Sequence, residues 1–315
     1  REVLSQGGKG NDFRLFEDMP GGYDAWDIVA TYVDREYELK DGVVKDIVSG
    51  DVYTMISIEK EVLKSVIHQN ILIYNDLDRI DFDTNISWHE DQKLLKVFFD
   101  VDLQTKTYTR DIAYATMECC SYRYNPYDKA KFEVNAHNWI DMSDEDYGVS
   151  LLNDCKYGHE VNEHKMILTL LKAPIKPDPT SDRGEHYFTY SLYPHAGIWK
   201  KADTLTRGLE INNPVVPVAV ESGAAGEKEG SFITLDCDNI TLEAVKKCEE
   251  EDAYIIRMVE KTGRTTKATV TLFGDITYAA ECDLIERNDE PVEHGKNTIS
   301  FMAKPFEIKN FKVKF

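Results

Sequence analysis

The chain has 315 residues, 42% hydrophobic and 11% aromatic, which is enough for two domains with real cores and excludes a disordered chain. Its 57 acidic against 37 basic side chains give a net charge of -20, a field that disfavours nucleic acid and anionic membrane surfaces and leaves a neutral sugar indifferent. No run approaches the ~20 apolar residues of a membrane span, and no basic segment leads into an apolar one, so neither a spanning helix nor a secretion signal is expected.

The six cysteines, two of them adjacent at Cys119 and Cys120, lack the look of a disulfide framework; reduced thiols and a cytoplasmic location are expected, with the sequons at Asn85 and Asn239 unused. Because the chain opens on Arg1 and not on methionine, a cut piece of a longer chain is expected.

Taken in chain order, the periodicity is mostly that of strands. YDAWDI (23–28) follows the glycines Gly21 and Gly22 and sets a tryptophan beside two acids. Residues 62–74 are a long strand-like run rich in Ile and Val. The acids Asp76, Asp78, Asp81 and Asp83 lack the glycine and spacing of a calcium loop, so a solvated face is expected. In 95–103 the odd positions Leu95, Val97, Phe99, Val101 and Leu103 alternate with Lys96, Asp100 and Asp102, which predicts a strand with one buried face. DYGVSLLNDCKYG (146–158) runs from an apolar stretch into Asn153, Asp154, Cys155, Lys156 and Tyr157 before a glycine. A short apolar run at 166–171 is closed by a proline-rich loop at 173–184, and HYFTYSLY (186–193) is apolar or aromatic in both phases, as a strand covered on both sides should be. Residues 199–211 are the best helix candidate, ending before Asn213 and Pro214.

AVESGAAGEKEG (219–230) reads as a loop near the junction with a smaller C-terminal β domain. There, strand-like flanks around the acids at 249–252 predict a hairpin. In PFEIKNFKVKF, Phe306 and Ile308 share one phase while Phe311, Val313 and Phe315 share the other, so a β-bulge is expected near Asn310. Turn signals at Asp41 and Gly42, Ser49 and Gly50, Asn75 and Asp76, and Thr262 and Gly263 punctuate the strands, a pattern of sandwiches or barrels.

Four stretches carry chemistry-like side chains. In 146–158, Asn153, Asp154 and Gly158 read either as the turn beyond a core strand, Gly158 supplying a permissive backbone angle, or, with Lys156 and Tyr157, as part of an interface or substrate cleft. Cys155 makes a poor nucleophile, having no local histidine and no helix N-terminus. Tyr23, Asp24, Trp26 and Asp27 read either as a strand with Trp26 in the core and the acids satisfied by backbone donors, or as a sugar-facing loop, where an aromatic face stacks on C–H groups and carboxylates accept hydroxyl hydrogens. HEVNEH (159–164) has its second histidine five residues on, the wrong spacing for a zinc helix, and is expected to cap a turn between strands. His186 and His195, an odd number of residues apart, fall on opposite faces of one strand and cannot share a ligand.

LFEDMPGGYDAWDI (15–28), LLKVFFDVDL (94–103), KFEVNAHNWIDMSDEDYGVSLLNDCKYGHE (131–160), LLKAPIKPDPTSDRGEHYFTYSLYPHAG (170–197) and KPFEIKNFKVKF (304–315) together resemble the C-terminal half of the family 38 glycoside hydrolases, in the bacterial, yeast-vacuolar and cytosolic α-mannosidase branch. The chain departs from that pattern at MECCSYRYN (117–125), whose role is left open, and in the length of its acidic loop. The resemblance implies a mainly β fold: a large super-sandwich of the galactose-mutarotase type over 1–212, then a small β-sandwich over 213–315. It implies a retaining reaction, with nucleophilic and acid/base carboxyls ~5 Å apart, carried by an absent N-terminal catalytic half that also holds zinc. This chain would then have no catalytic residue, no metal and no cofactor of its own. Its partners would be that catalytic half and a mannose-containing glycan, with Tyr23, Asp24, Trp26, Asp27, Asn153, Asp154, Lys156 and Tyr157 as candidates facing the cleft or the catalytic domain. Two other readings stand beside it: a free-standing carbohydrate-binding module and a mutarotase-type enzyme.

Overall fold

The computed structural model describes residues 1–220 and 229–315; most of the 219–230 loop expected from the sequence therefore lies outside the described residues. The chain forms two compact units, one of residues 1–112 with 117–214 and one of 113–116 with 215–315. No described helix is long and apolar enough to cross a membrane.

The larger unit holds two antiparallel sheets. The six-stranded sheet runs, in spatial order, Val134–Asn135, Gly158–Asn162, Lys165–Lys172, Lys93–Asp100, Asp12–Glu17 and Glu36–Tyr37. The nine-stranded sheet runs Val43–Ser49, Tyr53–Val62, Ser65–Tyr74, Ile80–Trp88, Gly184–Ala196, Tyr147–Asn153, Trp139–Ser143, Thr107–Ile112 and Ala115–Cys120. Alternate residues of each sheet meet in one core, where Phe82 and Tyr190 of the larger sheet pack on Phe99 of the smaller at 5.6 and 6.3 Å between ring centres. This is the mainly β sandwich expected from the period-two pattern.

Four expectations need correction. The run 62–74 is not one strand: Val62 ends one strand, Leu63 adopts a positive φ of 55°, and Ser65 opens the next. Lys93–Asp100 is buried on both faces, because Leu94 and Phe98 pack outward against Phe16, Tyr32 and Ile167. Asp81 is buried, not solvated: Arg79 pairs with it at 2.8 Å, and Ser191 and Tyr74 donate to it. Near Asn310 the register is unbroken, so no bulge forms; Phe311 and Val313 face the core, while Asn310 and Lys312 on the other face are buried against polar partners, the Asp283 carbonyl and Glu251.

The helix is Thr204–Asn212, with turns occupying 199–203. It covers the outer face of the nine-stranded sheet, where Leu205 and Ile211 pack on Trp139, Tyr193 and Trp199. Gly208 permits that approach, since a Cβ there would stand 2.9 Å from the Trp139 ring.

The smaller unit pairs a three-stranded sheet (Ile233–Leu235, Thr266–Leu272, Thr298–Ala303) with a five-stranded one (Ile240–Lys247, Tyr254–Glu260, Ile308–Lys314, Tyr278–Glu281, Glu290–Pro291). Val270 and Ile299 of one and Ile256 and Phe311 of the other share a core. The acidic loop at 249–252 closes the expected hairpin between Ile240–Lys247 and Tyr254–Glu260.

Candidate functional site

The segment 21–27 is a turn pinned from below. Tyr23 has a positive φ of 53°, and its carbonyl accepts from the Trp26 and Asp27 amides at 2.8 and 2.9 Å. Asp24 is buried; its Oδ2 accepts from the Ile175 amide at 2.7 Å, and Lys172 stands 3.9 Å from its Oδ1. Lys172 also pairs with buried Asp18. With the turn so held, Tyr23 and Trp26 project 75% and 70% exposed, edge to face at 6.4 Å. Trp26 is therefore outside the core, while Asp24 is satisfied from a backbone donor.

The stretch 146–158 is the corner where the chain leaves the nine-stranded sheet at Asn153 and enters the six-stranded sheet at Gly158. Asn153 is buried at the corner: its Nδ2 donates to the His137 carbonyl at 2.8 Å and its Oδ1 accepts from the Lys156 amide at 2.7 Å. Asp154 Oδ2 accepts from the Thr189 amide at 2.8 Å. Burial, opposed by nearby carboxylates, lowers the Lys156 ammonium, and its Nζ lies 4.4 Å from the centre of the Phe188 ring. Burial and the neighbouring Asp154 push the Cys155 thiol up to about 11, which leaves it protonated and inert as a nucleophile. Tyr157 is exposed and rests edge-on against His137 at 5.7 Å.

Trp26 and Asp27 from the first turn and Tyr157 from the corner line one hollow of about 510 Å³ with Phe132 and Glu133. Asp24, Asn153, Asp154 and Lys156 do not reach it; they hold the surrounding backbone. Gly158 is needed for space and not for backbone angle, because a Cβ there would lie 2.7 Å from Glu133 Oε1.

Glu133, which the sequence reading passed over, ties the hollow to a buried ionic cluster. Lys96, with no exposed surface, reaches Glu133 Oε2 at 2.6 Å and Glu160 Oε2 at 3.2 Å. Thr169 donates to Glu133, Tyr32 donates to Glu160 at 2.8 Å, and Arg123 pairs with Glu160. Burial alone would lower the Lys96 ammonium, but Glu133 and Glu160 outweigh it and hold it above its ordinary range. Burial lifts the Tyr32 phenol to about 12. The available signal was a lysine inside LLKVFFD, a run apolar in both phases. Arg123 gives the MECCSYRYN segment a role, as a partner of Glu160.

The residues of HEVNEH do not fit a zinc ion. His159 is buried, its Nδ1 3.3 Å from the Tyr157 carbonyl and its Nε2 3.5 Å from Asn153 Nδ2, and burial pushes it down to about 4. The hairpin turn falls at Glu163, with a φ of 58°. Among the described residues no three His, Cys, Asp or Glu side chains converge as metal ligands would. His195 serves the sheet, with Nε2 2.8 Å from Asp141 Oδ2, and His186 lies in the opposite phase.

Residues 1–180 match the Glycosyl hydrolases family 38 C-terminal domain, and residues 239–311 match the Glycosyl hydrolases family 38 C-terminal beta sandwich domain. Among similar proteins, Alpha-mannosidase G of Dictyostelium discoideum is 32% identical over 99% of this chain, and Alpha-mannosidase 2C1 of Homo sapiens is 30% identical over 98%. The chain spans about 30% of the length of each of these relatives. The crystal structure of an alpha-mannosidase from Enterococcus faecalis V583 superposes on 96% of this chain and 38% of its own, with a TM-score of 0.74 at 14% identity, which shows a shared fold. The chain belongs to glycoside hydrolase family 38, of which it carries the C-terminal β region.

Proposed function

We propose that this chain is the non-catalytic C-terminal β region of a retaining, zinc-dependent, cytoplasmic α-mannosidase that removes terminal α-mannose from glycans. The nucleophile, the acid/base carboxyl and the zinc belong in this reading to an N-terminal catalytic half of the same chain. The β region braces that half and walls one side of the substrate cleft. One observation carries the reading: the hollow that joins Trp26, Asp27, Tyr157 and Glu133 offers aromatic faces and carboxylates together, in a chain whose relatives are named α-mannosidases. That pairing suits a sugar, whose C–H faces stack on rings and whose hydroxyls donate to carboxylates.

In the whole enzyme, Trp26→Ala and Asp27→Asn are expected to lower kcat/KM for a mannose-terminated oligosaccharide by up to about 10²-fold, as a positioning loss would. Their melting temperature should hold, since both side chains are exposed. Unchanged kinetics in both variants would overturn the assignment of this wall, and turnover of an aryl α-mannoside by the 315-residue chain alone would overturn the non-catalytic role. A second reading, a free-standing carbohydrate-binding module, draws on the exposed Tyr23 and Trp26 pair. Because Trp88, Trp139 and Trp199 are buried, a saturable tryptophan fluorescence change with mannose that vanishes in Trp26→Ala would favour it.

A further inference from the structure

The outward face of the nine-stranded sheet carries a second polar hollow, of about 410 Å³, which shares no residue with the first. Strand register sets its side chains in two rows. Ser57, Asn70 and Asp83 are opposed across neighbouring strands in one row, and His68, Asn85 and Tyr187 in the next. The two rows together span four strands, which at ~4.8 Å spacing make the patch about 14 Å wide, roughly the length of a trisaccharide.

Further along the same face the polar groups close on one another, as Arg79, Asp81, Ser191 and Tyr74 do. In the hollow they do so only in part: His68 Nδ1 lies 3.5 Å from Glu59, while other side chains stay open. Asp83 and Tyr187 have no side-chain partner among the described residues, and Tyr187 is 71% exposed. The Ser57 hydroxyl donates to Asn70 Oδ1 at 2.8 Å, which leaves the Asn70 amide hydrogens free to donate elsewhere. Asn85 Oδ1 has no donor. Glu59, at the edge, is already paired by Lys45 at 2.8 Å, so Asp83 is the carboxylate left open.

We infer that this face is a binding site for a neutral oligosaccharide. The Tyr187 ring stacks on the C–H face of a sugar, Asp83 accepts from a hydroxyl, and Asn70 donates to another. An open row of amides and one carboxylate beside a bare ring is too polar for an apolar partner. A net charge of -20 with Asp83 at the centre repels phosphorylated or acidic sugars. The assignment stands independently of the first hollow.

The test is calorimetric titration of the 315-residue chain with mannotriose, maltotriose and cellotriose as probes. At least one should bind saturably. Tyr187→Ala and Asp83→Asn should each weaken that binding by about tenfold, the scale of one aromatic stack or one charge-assisted hydrogen bond, with unchanged melting temperatures. Tyr187→Phe should retain most of it, and in a Trp26→Ala background a saturable component should remain that Tyr187→Ala still weakens. Absence of binding by all three probes overturns the proposal, as does wild-type binding by both Tyr187→Ala and Asp83→Asn. Binding abolished by Trp26→Ala and untouched at Tyr187 moves the sugar to the first hollow; that overturns this site and leaves the proposed cleft wall standing.

Discussion

Replacing Lys96 with methionine should destabilise the larger unit by about 3 kcal/mol. Methionine keeps most of the volume of the stem and deletes the charge. Lys96 has no exposed surface and is shared between Glu133 and Glu160, so its loss leaves the buried Glu160 carboxylate and the half-buried Glu133 carboxylate without their ammonium. Breaking a buried pair from one side typically costs about 3–5 kcal/mol. The low end applies here, because Arg123 and the Tyr32 hydroxyl still serve Glu160 and Thr169 still serves Glu133. The cation also sits 4.5 Å from the centre of the Tyr32 ring, a contact methionine does not replace. In scanning calorimetry a loss of this size lowers the melting point of a unit this large by about 6–12 °C. The triple variant Lys96→Met, Glu133→Gln, Glu160→Gln should recover part of the loss, because no carboxylate is then stranded. Since the Lys96 ammonium is held above its ordinary range, its contribution is complete below about pH 10 and fades only as the pH climbs through the raised value. A single Lys96→Met variant melting within about 1 °C of the wild type would refute the reasoning, for it would mean the cluster contributes nothing net.

His159, neutral and buried with its value pushed to about 4, binds fewer protons folded than unfolded, so stability should fall as the pH drops from about 6.5 towards 4, by up to about 3 kcal/mol; His159→Gln should flatten that part of the denaturation profile, and an unchanged slope would count against burial as the cause. In the smaller unit, Glu260 accepts from the Thr262 amide and hydroxyl, the Gly263 and Phe306 amides and Asn239, and these bonds overcome burial to hold it down at about 2. Its contribution is therefore present above its ordinary value and lost as the pH falls towards 2; Glu260→Gln, which presents hydrogens to those donors, should cost about 3 kcal/mol at neutral pH, and a loss below about 0.5 kcal/mol in urea unfolding of that unit would contradict it.

Much of this fold is legible in the sequence because strands advertise themselves by period two and by their turns. The 186–193 run, the acidic hairpin and the turns at Ser49, Asn75 and Thr262 all lie where alternation and glycine, asparagine or aspartate place them. One failure has a clear cause: two-sided burial erases alternation. Leu94 and Phe98 made Lys96 look like a solvated position when they were announcing a second covered face. Ile308–Lys314 mimicked a bulge for another reason: Phe306, which set the second phase, lies in a turn with a positive φ of 58° before the strand opens at Ile308. At the site, residue type was a poor guide to direction. Trp26, which chemistry alone would bury, points out, while Asp24 and Asn153, which chemistry alone would expose, point in and bond backbone amides and carbonyls. No local pattern separates those outcomes, since each depends on a strand or loop distant in the chain, such as the Ile175 amide for Asp24.

Glu133 shows why the hollow and the core cannot be treated apart. One carboxylate oxygen receives Lys96 and Thr169 from beneath, and the other passes over Gly158, at the point where the corner from the nine-stranded sheet enters the six-stranded one. Its position is set by an ammonium with no access to water and by a glycine with no side chain, so it has little freedom to adapt to whatever enters the hollow. Trp26 stands on a turn whose anchor, Asp24, is likewise buried and bonded to backbone. A surface built in this way presents its rings and carboxylates already in place, which lowers the ordering cost of binding and favours a rigid, polar ligand over an adaptable apolar one. The charge buried under the sheet at Lys96 is in that sense part of the surface chemistry: without it, the carboxylate at the base of the hollow would lose the partner that fixes its position.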